Sequence, residues 1–134
     1  TVLTVTGTDV NGDVIVESSP SASSYGGKKA FATITAISTS ASVTGAIVGT
    51  GNIIGLPFAI LDKNEVTVKF DGAIDAATIV AADTTSPATA TTGDVRGTFD
   101  TDGTLDGAKT VAAIFHNLDT ASKETLHGVA NYAG

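Results

Sequence analysis

The feature that most constrains this chain is its supply of β-branched residues, set in short runs between turn-forming residues. Val, Ile and Thr crowd the preceding turn of a helix at Cβ but fit the pleated surface of a strand. Here Val and Ile together outnumber Leu several-fold, and Thr is abundant. The run from Val2 to Thr8 contains a Thr/Val alternation, the period-2 mark of a strand. Asn11-Gly12 follows, then Val14-Ile15-Val16-Glu17. Asn-Gly between two β-branched runs accepts positive φ at both turn positions, so residues 2–17 are expected to form a hairpin.

Similar runs continue along the chain. Residues 18–27 (SSPSASSYGG) form a Ser-rich loop, long enough to be mobile or used for contact. Residues 28–38 (KKAFATITAIS) are partly apolar on both faces and are expected to form a central strand covered on both sides. A short strand is possible over 43–48. The run 53–61 (IIGLPFAIL) is the most apolar, but Gly55 and Pro57 make it an edge strand or a bend. It reads as core, or else as a self-association surface. Further strands are expected over 65–70, 77–82, 94–99 and 109–116, with turns at 62–64, at Asp71-Gly72 and over 100–107. The polar stretch 83–92 is extended but not obviously in a sheet. Beyond residue 117, Asp119 or Thr120 can cap a short helix that Gly128 closes. The expected fold is all-β, a sandwich or barrel of about eight to ten short strands with one short C-terminal helix. Residues 1–117 are the β domain, and 118–134 are a helical or extended tail packed on it or on a neighbour.

Composition narrows the function. In 134 residues there is no Cys, Met or Trp, and only 5% are aromatic. A thiol nucleophile, a disulfide framework and Cys-ligated zinc are therefore excluded. The net charge of −7 opposes phosphate neutralisation, so no nucleic-acid partner is expected. No apolar run approaches the roughly 18 residues of a membrane-spanning helix, and no membrane partner is expected. Absence of Met fits removal of an initiator or of a longer leader, and no basic and apolar leader is visible at Thr1.

Few groups are available for chemistry. Asp9-Val10-Asn11-Gly12-Asp13 opens like a calcium loop, but Val14 and Pro20 stand where that loop needs Gly and Glu. Asp100, Asp102 and Asp106 place three carboxylates in one Gly-rich turn. They are the candidate metal ligands, for Ca²⁺, although Asp in turns commonly bonds its own backbone. Residues 49–55 (GTGNIIG) are not a dinucleotide fingerprint, because the last Gly comes one position late and no helix follows. His116 and His127 have no local acid or hydroxyl pattern and read as structural. No catalytic residue and no cofactor is expected, and the chain reads as a non-enzyme.

Three groups of residues carry a resemblance. They are Gly27-Lys28-Lys29-Ala30-Phe31 leading into a Thr/Ile strand, residues 48–58 (VGTGNIIGLPF), and residues 93–99 (GDVRGTF) followed by Asp106-Gly107-Ala108-Lys109. With Val5–Asp9 and Val14–Glu17 before them, these pieces resemble a recurring type of tailed-bacteriophage virion protein, most like head decoration (cement) proteins, over about residues 4–116. The resemblance implies a β-rich, non-enzymatic protein on the outer surface of the capsid. Its partners would be the major capsid protein and itself, with a trimer favoured and a dimer possible. The rivals are a tail-tube, tail or fibre module, and a calcium-dependent surface-binding module using Asp100, Asp102 and Asp106.

Overall fold

The computed structural model describes residues 1–116. They form nine strands: β1 (Leu3–Thr8), β2 (Val14–Ser18), β3 (Thr33–Thr39), β4 (Ile53–Gly55), β5 (Val66–Phe70), β6 (Ala73–Ile74), β7 (Thr78–Val80), β8 (Thr98–Asp100) and β9 (Val111–Phe115). One 3₁₀ turn, Lys63–Glu65, is the only helical element among the described residues, so the all-β class holds. The strands fall into three open antiparallel sheets, ordered β2-β1-β3, β4-β8-β7 and β6-β5-β9, and none closes into a barrel. The expected C-terminal helix, the 118–134 tail and His127 lie outside the described residues.

The first hairpin forms as its sequence predicts, with Thr8 opposite Val14. Only Gly12 of the Asn-Gly pair takes positive φ, at +90°. The turn is longer than a two-residue one, and Asp9 organises it. Asp9 Oδ1 accepts from the Asn11 and Asp13 amides at 2.8 and 3.0 Å. Asp71-Gly72 is the tighter case. Both residues have positive φ (51° and 87°), and they join β5 to β6 directly, with Phe70 opposite Ala73.

One apolar core lies between the second and third sheets. Leu56, Ile60, Val66, Val68 and Phe99 are buried together, with Ile54, Phe58, Ile79, Val111 and Phe115 packed around them. The run 53–61 is therefore both edge strand and core. β4 is an outer strand of its sheet, and the chain then bends at exposed Pro57 so that Leu56, Ala59 and Ile60 are buried. The Leu56 and Ile60 amides bond the Gly97 and Arg96 carbonyls at 3.0 Å each, which fixes this bend on residues 94–99.

Three expectations fail in whole or part, and the strand expected over 94–99 starts only at Thr98, after a turn in which the Gly97 amide bonds the Asp94 carbonyl. Residues 28–38 do not form a covered central strand. Pairing begins only at Thr33, and β3 is an outer strand whose seven residues are all exposed. The reason is that distant carboxylates take the backbone of residues 28–30. Glu17 accepts from the Lys28 and Lys29 amides, and Asp94 Oδ2 accepts from the Ala30 amide at 2.8 Å. A strand cannot use those N–H groups twice. Residues 43–48 form no strand and run irregular and exposed.

Candidate functional site

Parts of the pieces behind the resemblance converge in space, namely Asp9, Glu17, residues 27–30, Gly55 and residues 93–96. Gly27 lies against the Glu17 carboxylate, where an added Cβ would meet Oε2 at 3.1 Å. Glu17 also accepts from the Tyr25 hydroxyl at 2.9 Å. That bond follows burial as the second cause holding the Tyr25 phenol up at about 12. The loop 18–27 is thus anchored at its far end, while residues 20–24 stay exposed. Lys29 is buried. Its ammonium donates to the Pro87 and Thr89 carbonyls at 2.9 and 2.6 Å and to Thr92 Oγ1 at 3.3 Å. Burial pushes the Lys29 ammonium below its ordinary range, and Glu17, Asp94 and Asp83 oppose that shift.

Arg96 and Asp94 close the arrangement from the other side. The Arg96 Nε lies 3.9 Å from Asp9 Oδ2 and 3.8 Å from Asp94 Oδ1, with all three side chains buried. These are ion pairs at longer than hydrogen-bond distance. Gly55 permits the approach: an added Cβ would sit 2.6 Å from Ala30 Cβ and 3.4 Å from Arg96 Nη2. Asp83 joins through the Gly93 amide and the Thr85 hydroxyl, and these bonds, the hydroxyl first, hold its carboxyl below the usual range. The result is a buried polar lock that ties the first sheet to residues 83–96. Sequence reasoning missed its roles. The visible signal was a charged residue beside Gly in two of the pieces: Lys28 after Gly27, and Asp94 and Arg96 flanked by Gly93 and Gly97.

The candidate metal ligands are placed apart in function. Asp100 is exposed in β8, opposite Ile53 and Thr78. The Asp102 amide donates to Asp75 Oδ2 at 2.9 Å. Asp106 Oδ1 accepts from the Ala108 and Lys109 amides, which lowers its pKa and makes it a turn-forming residue. Among the described residues, no three His, Asp or Glu side chains gather as a metal site requires. His116 Nε2 pairs with Thr67 Oγ1 at 2.8 Å across β9 and β5. Open hollows are present among the described residues. One of about 380 Å³ is lined by Phe31, Leu56, Pro57 and Arg96, and one of about 490 Å³ by Lys63, Thr67, Asp75 and Thr78.

The larger feature is a surface. Residues 30–61 contain no Asp, Glu, Lys, Arg or His, although the whole chain carries a net charge of −7. Within that span, β3 and residues 40–51 are all exposed. They present Ile34, Ile37, Val43, Ile47 and Val48 to solvent, Ile47 at 96% exposure. No family model, curated protein or solved structure matches the chain. Among the described residues no helix is long and apolar enough to cross a membrane.

Proposed function

We propose that this protein is a non-enzymatic decoration (cement) protein of a tailed-phage head, bound to the outer surface of the assembled shell and to copies of itself. The observation that carries the assembly part is where its apolar side chains lie. More large aliphatic side chains are exposed than are fully buried among the described residues, including Ile34, Ile47, Ile74 and Val80. Apolar surface on this scale marks contact with other macromolecules. A sandwich-like layering of the second and third sheets over their shared core is part of the proposal. It would give a rigid block bearing two exposed ends.

The capsid part rests on the resemblance of residues 4–116 to virion proteins. Net negative charge suits an outer position, because it repels packaged DNA. Binding only the assembled shell would stabilise that shell by mass action. Quantitative mass spectrometry of purified particles tests the assignment. Decoration requires this chain on the order of hundreds of copies per particle, in fixed ratio to the major capsid protein, as shell symmetry dictates. A count of tens or fewer would move it to a tail tip or fibre.

A further inference from the structure

We infer that the outer edge of β3 is a homotypic interface, at which two copies pair antiparallel about a two-fold axis. Three observations lead there. The first is the contrast between the two outer strands of the first sheet. The outer side of β2 is closed by the chain itself, with the Val16 and Ser18 amides bonding the Pro87 and Ala90 carbonyls at 3.2 and 2.9 Å. Among the described residues, nothing pairs with the outer side of β3, which at seven residues is the longest strand. It carries no charged residue and no Pro, which would guard an open edge against pairing.

The second is the position of its isoleucines. Ile34 and Ile37 are three apart and would point to opposite faces of a regular strand. The register shifts between Thr6 and Gly7, so that Ile37 stands opposite Val5 and Ile34 opposite Gly7. The bulge therefore brings both isoleucines to the face that holds buried Ile15, which is also opposite Gly7. That face is buried at β2 and open at β3, where Ile34 and Ile37 are 52% and 45% exposed. An antiparallel two-fold places equivalent faces on the same side of the joined sheet. Four isoleucines would then lie together on the two central strands of one six-stranded sheet.

The third observation is charge, which selects a second copy as the occupant. Two molecules of net charge −7 repel over most orientations. The span 30–61 is the longest charge-free stretch of the chain, and β3 is its exposed strand. A basic partner would gain nothing by docking there, whereas an identical acidic copy meets no like charge. A strand edge paired with itself is isologous and closes at two copies.

The inference deepens the assembly reading, but its test uses the free protein without heads, so the two can fail separately. Sedimentation equilibrium of the full chain should give a dimer, with a mass twice 13.3 kDa. I34K/I37K places like charges across the axis at positions already half exposed. It should weaken dimerisation by at least about tenfold, through the cost of like charges placed opposite each other, with an unchanged far-UV spectrum. I74K changes an isoleucine that is 77% exposed on another sheet, and it should leave the dimer intact. A monomer up to about 100 μM, a trimer, or a dimer lost in I74K and kept in I34K/I37K would each overturn the inference.

Discussion

At the residue scale, small residues and buried charges decide how the sheets meet. Gly7 is the sharpest case. A Cβ there would lie 1.9 Å from the Thr33 carbonyl oxygen and 2.8 Å from the Phe31 ring. That contact sits at the bulge in the pairing of β1 with β3. Gly7→Ala is therefore expected to cost more than about 2 kcal/mol in denaturant unfolding, and a loss below about 0.5 kcal/mol would contradict the packing described. Tyr25 gives a pH-dependent readout. Its folded pKa of about 12 exceeds the ordinary 10.0, so it contributes stability below pH 10 that disappears as the pH rises through about 12. The chain has two tyrosines, Tyr25 and Tyr132, and Y132F isolates the first. Absorbance titration of Y132F should show a phenol ionising near 12. Adding Glu17→Gln should shift it back toward 10.0, because the partner charge is removed while burial remains. Ionisation of Y132F at the ordinary value would contradict the Glu17 contact.

At the element scale, much of the fold was legible in the residues. Asn11-Gly12 and Asp71-Gly72 announce turns because few other pairs tolerate positive φ, and both turns formed. Val66-Thr67-Val68 alternates, and its valines are buried as the alternation predicts. Where the reading failed, long-range chemistry had overridden local pattern. Residues 28–30 look like strand, yet Glu17 and Asp94, 11 to 64 positions away, take their amides. The bulge that turns Ile34 and Ile37 to one face has no local signature. Asp100, Asp102 and Asp106 are close in sequence and suggest a cation, but Asp106 bonds the amides of its own turn, Asp100 stands in β8, and the Asp102 amide donates to distant Asp75.

The stretch 83–92 shows the same point from the other side. It reads as low-complexity polar chain, yet it closes the edge of β2 because the buried Lys29 ammonium holds its carbonyls. Lys29→Met keeps the volume and removes the donors. It is expected to lower stability by about 1–3 kcal/mol. Hydrogen exchange of the Val16 and Ser18 amides should speed up by about tenfold or more. Unchanged exchange at those two amides would show that Lys29 does not hold the segment in place.

At the scale of the whole molecule, three small sheets share little core, and charge and apolar surface are segregated along the chain. The polar lock of Glu17, Lys29, Asp94 and Arg96 fixes the first sheet to residues 83–96 without a large apolar interface. β3 and residues 40–51 then stand outside the core, uncharged and exposed. This division suits a building block that is completed by its neighbours. The most direct test of that account is co-sedimentation of the purified protein with mature heads stripped of accessory proteins, counting bound copies at saturation. The account predicts saturable binding at a multiple set by icosahedral symmetry, with bound heads more resistant to heat than bare ones. Heads that sediment without the protein at every concentration would contradict it.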